Sequence, residues 1–400
     1  MMKPLRTLIF CITLVFLGMS LWSKDFGLVL DQTPGISGHG KETRFGYTGI
    51  LIPRFTALLG DEGKLYASMG INFQSNPVGV VPEILRTELS WRFDHGKSGG
   101  GELRLGRMFY SDPLGFVAQG LFDGARYSID TGVGSFSAGA WYTGFLYKKR
   151  TEISMTGDEL RSLYADLDYS NFSDTYFAPK RVISAFGWEH PLLRELVRLR
   201  VDLIGQFDLE GTGLHTQYAA AKASFPLGNF FLNFGGCFSL IQNDGEFGIG
   251  LAGELAAAWM LPAAVDSRLL FFGRFSSGEF ENSPMCAFLP ITNNYQGEIL
   301  QGKLSALSIF GLDYLCRVLP TLSVNATASY FIRSDLGTFM LLGNEGYFLG
   351  TEIFGRALWS PFSDLLFNFG CGVFLPQTGN AASDVSMLWR IELGIIFSLY

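Results

Sequence analysis

Apolar and polar residues alternate one for one over long stretches of this chain. Residues 64–74 place apolar side chains at every odd position and polar or small ones at every even position, and residues 86–94, 198–209 and 321–333 repeat the alternation. Successive side chains of a β-strand point to opposite faces, whereas a helical period of about 3.6 residues would scatter the charges around the whole circumference. Each segment is therefore predicted to be a strand with one apolar and one polar face.

Eighteen segments of this kind follow one another along the chain. They lie near residues 24–30, 41–57, 64–74, 84–94, 101–110, 119–131, 135–149, 180–190, 197–209, 214–226, 229–242, 247–261, 266–280, 303–319, 321–333, 347–360, 364–376 and 386–400. An even number of two-faced strands of about ten residues is typical of a bacterial outer-membrane barrel. The predicted fold is all-β: a transmembrane, antiparallel, up-and-down β-barrel of 18 strands, or of 16 if the weak first segment is not a strand.

The connections between these segments differ in length in an ordered way. Counted from a periplasmic N-terminus, the even-numbered ones are short and contain Gly or Pro, as at residues 60–63, 132–134, 226–228, 319–320 and 360–363. The longest connections, at residues 150–179, 281–302 and 334–346, are odd-numbered, and two short odd-numbered ones lie at 210–213 and 243–246. Barrels of this class have short periplasmic turns and longer outer loops, so the pattern predicts the direction of the chain.

The last segment alternates up to the end of the chain. A terminal aromatic residue after such a strand resembles the C-terminal signal by which outer-membrane proteins are recognised for insertion, which implies the barrel-assembly machinery as a partner. Tyr400 itself falls on the opposite parity from the apolar side chains of residues 387–399. A bulge or a shifted register is therefore open at this position.

The composition agrees with a sheet that faces lipid. Of the 400 residues, 48% are hydrophobic and 17% charged, with 49 Gly and 37 Phe. Phe suits contact with acyl chains, and Gly lets neighbouring strands bend and close. The longest apolar run after the N-terminus, residues 251–265, is short and carries Glu254 and Pro262, so spanning helices are not expected.

The N-terminus has the features of a secretory signal peptide. Lys3 and Arg6 form its basic end, residues 7–17 its apolar stretch, and small residues near position 20 its cleavage site. Cys11 lies inside the apolar stretch, directly after Phe10, which disfavours lipidation. We expect a signal peptide at residues 1–23, one barrel domain at residues 24–400, and location in the bacterial outer membrane after cleavage.

Motifs that could indicate an enzyme have a different interpretation here. Residues 248–253 match G-x-G-x-x-G, but they follow a hairpin turn and alternate along a strand, so no cofactor is predicted. The histidines show no catalytic spacing, so no enzyme is predicted, although a site assembled at the rim from distant strands stays open. The acidic loop from residue 150 lacks the glycine of an EF-hand, and we predict no metal but a solvated loop, partly helical or folded into the lumen.

Charged residues on the predicted inner faces are mainly basic, although the whole chain carries a net charge of −7. The basic ones are Lys64, Arg86, Arg92, Arg104, Arg198, Arg200, Lys222, Arg268, Arg274, Arg333, Arg356 and Arg390. The acidic ones are Glu88, Asp94, Glu102, Asp202, Asp208, Glu352 and Glu392. Either these groups pair with one another inside a wide polar lumen, or unpaired arginines bias it toward anionic or hydroxyl-rich solutes.

One stretch, residues 103–130, is similar to part of the alginate-export and related carbohydrate-porin barrels. The similarity lies in Gly106-Arg107 and in the sequence Phe-Asp-Gly-Ala-Arg at residues 122–126. It implies an 18-stranded barrel with an arginine-rich lumen, into which Arg107 and Arg126 point. Simple alternation from Leu103 places Arg107 outside, so an inward Arg107 requires a bulge. The pore-lining candidates are Arg86, Arg92, Arg104, Arg126, Arg198, Arg200, Arg268, Arg274, Arg333, Arg356 and Arg390.

The leading hypothesis is a porin-like channel for passive diffusion of small hydrophilic solutes, anionic ones among them. A barrel of 16 to 18 strands leaves an aqueous path, which an inward-folded loop would narrow, with residues 150–179 and 281–302 as candidates. The expected partners are outer-membrane lipid, the barrel-assembly machinery and these solutes, with no nucleic acid. The alternatives are a transporter of hydrophobic compounds resembling the fatty-acid uptake barrels, a surface adhesin that uses its outer loops, and a rim-sited hydrolase.

Overall fold

The computed structural model describes residues 25–75, 78–94, 100–193, 196–262, 265–280, 283–336, 346–381 and 385–399. Eighteen strands form one antiparallel sheet. These are β1 (Asp25–His39), β2 (Glu42–Leu59), β3 (Gly63–Ser75), β4 (Val78–Asp94), β5 (Gly100–Ser111), β6 (Gln119–Thr131), β7 (Gly134–Tyr142), β8 (Arg181–Leu193), β9 (Val197–Asp208), β10 (His215–Leu227), β11 (Phe230–Asn243), β12 (Glu246–Leu261), β13 (Ser267–Ser276), β16 (Leu307–Leu319), β17 (Leu322–Arg333), β18 (Phe348–Phe362), β19 (Leu365–Leu375) and β20 (Leu388–Leu399). The signal peptide and Tyr400, about which the sequence made predictions, lie outside the described residues.

Shorter elements occupy the connections. A two-stranded ribbon, β14 (Tyr295–Gln296) and β15 (Gly302–Lys303), lies between β13 and β16. The connection from β7 to β8 contains the helices α1 (Lys148–Thr151), α2 (Gly157–Tyr164) and α3 (Phe172–Tyr176), with a 3₁₀ turn at Tyr169–Asn171 before α3. A second 3₁₀ turn, Pro376–Thr378, follows β19. Among the described residues no helix is long and apolar enough to cross a bilayer.

The sheet closes on itself. Each barrel strand pairs with the next along the chain, and β1 pairs with β20 from Leu28 opposite Leu399 to His39 opposite Leu388. Closure gives the backbone groups of every strand a partner on both sides, which a lipid environment requires. The fold prediction and its count of 18 strands are confirmed. The weak first segment is a strand of 15 residues, obscured in the sequence because Pro34, Gly35 and Gly38 interrupt its alternation.

Loop lengths follow the predicted parity. All connections longer than five residues lie at the end of the barrel reached by the odd-numbered connections, namely residues 112–118, 143–180, 209–214, 277–306, 334–347 and 376–387. Three connections at that end have only two residues, at 40–41, 76–77 and 244–245, of which the sequence indicated only the last as short. The other end of the barrel has connections of two to five residues.

Large apolar side chains point away from the barrel interior. Phe234 and Phe238 of β11, Phe271 of β13 and Phe310 of β16 are 46%, 45%, 53% and 57% exposed. Exposed aromatic and aliphatic side chains recur on strands around the barrel, from Phe45 on β2 to Ile391 on β20. A continuous apolar surface of this extent matches contact with acyl chains rather than with water.

Gly106 is a point of backbone strain in the wall. Its φ is +106°, a conformation that side chains with a Cβ rarely adopt. A Cβ at this position would lie 2.2 Å from the carbonyl oxygen of Thr87 on the neighbouring strand β4. Pairing of β4 with β5 therefore requires glycine at residue 106.

We predict that Gly106→Ala lowers the yield of folded barrel after refolding into lipid, because strain of this kind costs about 1 to 3 kcal/mol and the clash is with backbone. Gly46→Ala on β2 is the matched control, since no atom lies within 4 Å of the Cβ that it would add. The measurement is the fraction of protein that migrates as folded on gels run with and without boiling. Equal folded fractions for the two variants would contradict the prediction.

Candidate functional site

The connection from β13 to β16, residues 277–306, crosses the barrel lumen; we call it the bridge segment. Near one wall, Thr292 Oγ1 accepts a hydrogen bond of 2.9 Å from the backbone N–H of Gln119, the first residue of β6. Near another wall, the Glu352 carboxylate of β18 accepts hydrogen bonds from backbone N–H groups of the bridge segment. Strands β6 and β18 lie on opposite sides of the ring of 18, so a segment that contacts both spans its interior.

The connection from β7 to β8, residues 143–180, covers the wall formed by β3 and β4; we call it the helical segment. Tyr176 Oη donates a hydrogen bond of 2.9 Å to the carbonyl oxygen of Pro82 on β4. Arg150 Nε lies 3.2 Å from Glu83 Oε2, and its Nη2 lies 3.2 Å from Asn72 Oδ1 on β3. In the first turn of α2, Glu159 accepts hydrogen bonds of 3.0 and 2.5 Å from the fully buried Arg181.

The two segments contact each other inside the barrel. The N–H of Asn293 donates a hydrogen bond of 3.0 Å to the carbonyl oxygen of Glu152. Lys303 Nζ donates a bond of 2.6 Å to the carbonyl oxygen of Ser154, and Ser154 Oγ lies 3.0 Å from Asn293 Oδ1. Both loops that the sequence proposed as lumen-narrowing candidates thus form one layer across the interior, and the predicted helical content of the acidic loop is present as α1 to α3.

Two adjoining clefts remain along the wall formed by β1, β2 and β3. The first has a volume of about 300 Å³, and its polar lining includes Asp31, Asn72, Lys149 and Arg150. The second, beside β20, has a volume of about 690 Å³, and its polar lining includes Ser37, Arg44, Glu298, Arg390 and Glu392. Thr33, Thr48 and Gln74 line both clefts, so hydroxyl and amide groups join the two.

Three of the predicted arginines form one network on β4 and β5. Arg86 lies 2.8 Å from Glu88, and Arg104 lies 2.6 Å from Glu102 and 3.8 Å from Glu88. Arg92 reaches Glu102 at 3.8 Å, but its side chain is 81% exposed, so this pair is weak. The acidic members of this network are more buried than the arginines; the Glu88 side chain, for example, is only 6% exposed.

Most of the other predicted arginines also have a carboxylate partner. The pairs are Arg198 with Glu189, Arg200 with Asp202, Arg268 with Asp313, Arg274 with Glu254, Arg356 with Glu298 and Glu392, and Arg390 with Glu392, at 2.6 to 3.5 Å. Arg333 donates to the carbonyl oxygens of Asp335 and Leu336 and is only 4% exposed. The arginine side chains in the pairs are 28% to 65% exposed and remain accessible to water.

Arg126 differs from the rest. It lies opposite Arg104 in the β5–β6 register and donates a hydrogen bond of 3.2 Å to Ser137 Oγ. Within the part of the chain that the structure describes, no carboxylate lies within 4 Å of its guanidinium. The family resemblance also implied that Arg107 points into the lumen. In the structure Arg107 is 8% exposed, and it donates hydrogen bonds to Asp123 at 2.7 Å and to the carbonyl oxygens of Ile84 and Phe145. The strained Gly106 directly precedes it.

Several charged residues at the clefts and at the contact between the two segments lie in the connections, outside the alternating strands. Lys149, Arg150 and Glu298 line the clefts, and Glu152 and Lys303 lie at the contact. Their only signal in the sequence was the unusual length of the two connections. Asp31 was missed because the alternation of β1 is interrupted.

Glu152 lies where the two segments meet. Its backbone has a φ of +49°, and its carboxylate has no hydrogen bond or ion pair with any residue that the structure describes. Burial raises the pKa of Glu152 to about 7, against the opposing effect of the positive charge on Arg150. The carboxyl of Glu152 therefore stays mainly protonated in the folded protein up to about pH 7. Its contribution to folding stability is fully present below about pH 4.5 and is lost as the pH rises from 4.5 through 7.

We predict that lowering the pH from 8 to 6 raises the chloride-to-potassium permeability ratio on the order of twofold, because it removes a negative charge inside the lumen. The ratio is read from the reversal potential across a KCl gradient. In Glu152→Gln the ratio should already be higher at pH 8, and acidification should leave only the response of the nearby Lys303, whose pKa burial lowers to about 8. A variant with the full pH response of the wild type would rule out Glu152 as its source.

Comparisons with known proteins give the fold of the chain. No family model matches the sequence, and no curated protein does. Among solved structures from Pseudomonas aeruginosa, the outer membrane protein OprD has a TM-score of 0.59 at 13% identity, covering 94% of this chain and 94% of its own. OccK5 (OpdH) has a TM-score of 0.58 at 12% identity, covering 94% and 99%. OccK2 (OpdF), solved in complex with glucuronate, has a TM-score of 0.59 at 12% identity, covering 94% and 95%. The fold is that of a porin-like outer-membrane β-barrel.

Proposed function

We propose that this protein is an outer-membrane channel through which small hydrophilic solutes, anionic ones among them, diffuse passively. The observation that carries the proposal is a closed barrel of 18 strands whose lumen is narrowed by two inward segments and keeps polar clefts open beside them. A barrel of this size has room for an aqueous path. Groups that exchange hydrogen bonds with a hydrated solute line both clefts, as Thr33, Thr48 and Gln74 do.

Preference for anions is the finer part of the proposal. A guanidinium has five N–H donors in a planar fork, and one carboxylate uses at most two of them, so a paired arginine can still bind an anionic solute. The exposure of Arg198 and Arg390, 65% and 35%, leaves such donors accessible. Arg126, beside Arg104, adds a guanidinium that is not ion-paired with any carboxylate of the described residues. Glucuronate, found in complex with OccK2, combines a carboxylate with hydroxyl groups, the chemistry that such a wall fits.

Export with cleavage of residues 1–23 belongs to the same proposal, since a barrel of this class reaches the outer membrane through the periplasm. The fatty-acid-transporter hypothesis predicts an N-terminal plug, and residues 25–39, the first that the structure describes, form barrel strand β1. Adhesion and hydrolysis at the rim are tested separately, by binding of labelled cells and by ester and phospholipid hydrolysis with the refolded protein.

The decisive experiment is single-channel recording of the refolded full chain in planar bilayers. We expect stepwise conductance in KCl, and a reversal potential across a salt gradient with the sign of an anion-preferring pore. Absence of conductance from protein that migrates as folded would overturn the channel. Conductance with cation preference would overturn only its anionic selectivity. Swelling of proteoliposomes in neutral sugars of increasing size would then give the exclusion limit.

We predict that Arg126→Gln lowers the chloride-to-potassium permeability ratio by about twofold, because it removes a positive charge that is not ion-paired with any carboxylate of the described residues. Arg317→Gln is the matched control. It makes the same change of charge near the short turn between β16 and β17, where Arg317 bonds to the carbonyl oxygen of Pro320. An equal effect of the two variants would show that Arg126 has no special influence on selectivity.

A further inference from the structure

The bridge segment wraps around one carboxylate of the barrel wall. Glu352 of β18 accepts hydrogen bonds from the backbone N–H groups of Glu298 at 2.6 Å, Ile299 at 3.1 Å and Leu300 at 2.9 Å. Gly297, directly before them, has a φ of +81°, and a Cβ there would lie 2.8 Å from Glu352 Oε2. Successive N–H groups after a left-handed residue form a concave anion site. Here a side chain of the protein's own wall fills it.

Glu352 is bound differently from its neighbours on the wall. It is 4% exposed, and no cationic side chain of the described residues lies within 4 Å of it. Glu392 on β20, at 7% exposure, is by contrast paired with Arg390 at 2.7 Å and Arg356 at 3.5 Å. The charge of Glu352 is therefore balanced by peptide dipoles of the bridge segment. Such charge-assisted bonds are strong where water is excluded.

The surroundings of this contact exclude water on one side and border the lumen on the other. Leu300 packs in an apolar cluster with Leu307, Phe331 and Phe374 of the wall. On the open side, Glu298, Ile299 and Gln301 line the second cleft. Arg356 Nη2 lies 3.2 Å from Glu298 Oε2, and Arg390 Nη1 donates a bond of 3.2 Å to the carbonyl oxygen of Glu298. The position of residues 297–300 therefore sets the width of the second cleft.

We propose that Glu352 is a latch: a positioning residue that fixes residues 297–300 against the wall at β18 and so fixes the cross-section of the second cleft. The proposal rests on the channel function. Without the carboxylate, three backbone N–H groups lose their acceptor. The contacts that remain on the open side, the Arg356–Glu298 ion pair and the bond from Arg390 to the carbonyl oxygen of Glu298, are partly exposed and hold a loop weakly. The segment then moves between attached and released positions, which changes the open cross-section.

The test compares Glu352→Gln with Glu392→Gln in single-channel recordings in KCl. Both variants remove one negative charge from a buried wall position, but only Glu352 bonds to the bridge backbone. We expect transitions between conductance levels to become about tenfold more frequent in Glu352→Gln, since an amide cannot accept from all three donors. In Glu392→Gln we expect a change of ion selectivity with the transition frequency within about twofold of the wild type.

A second variant distinguishes the loss of the latch contact from the loss of the negative charge of Glu352. Gly297→Ala keeps Glu352 but places a methyl group against its carboxylate at a residue with positive φ, and we expect it also to raise the transition frequency. Both variants are first checked for heat-modifiable migration. If Glu352→Gln does not fold, Gly297→Ala decides.

Equal transition frequencies in Glu352→Gln, Glu392→Gln and wild type would overturn the latch while leaving the channel intact. A folded wild type without conductance would overturn the channel instead. In that event the latch would still predict faster proteolysis of the bridge segment in Glu352→Gln than in Glu392→Gln, and equal cleavage would overturn it.

Discussion

Backbone hydrogen bonding in lipid is the constraint on which the rest of this structure depends. A strand edge exposed to acyl chains would leave its N–H and C=O groups without partners, so the first strand must meet the last. The pairing of β1 with β20 does this over most of their lengths. Once the ring is closed, every second side chain of each strand must face the interior, and the size of that interior follows from the number of strands.

The closed wall then determines how charge is arranged inside. Glu88, Asp202 and Glu392 are nearly buried, whereas their basic neighbours keep a third or more of the side chain in water in several cases. Long arginine side chains can reach past a buried carboxylate to solvent, which short acidic side chains cannot do. The sequence left two interpretations open, paired charges and an arginine-lined path, and both describe the same residues. Most of these arginines are paired with carboxylates, and the N–H donors that the pairs leave unused are the ones on which the proposed anion selectivity depends.

Strand number, direction and faces could be predicted because alternation is a local property of the sequence. The exception was β1, where Pro34 and two glycines hide the pattern. Ion pairs within one strand, such as Arg200 with Asp202, could be predicted from the same alternation. Ion pairs between strands could not, because they depend on the register in which the strands pair. The clefts could not be predicted at all, since they depend on where two long connections come to rest. Glu352 was recognised as an inward acid, yet its partners are backbone groups of a connection 52 to 54 residues earlier.

That separation along the chain gives the bridge segment a place in the order of assembly. Its anchors on β6, β10 and β12 precede it in the sequence, as with Tyr218, whose hydroxyl bonds to the carbonyl oxygen of Leu289, and Ile249, which exchanges bonds with Pro284 and Cys286. Its anchors on β18 and β20 come after it. Residues 297–300 thus have nothing to bind until the last quarter of the chain has joined the sheet. The second cleft therefore takes its final width only after β18 has joined the sheet.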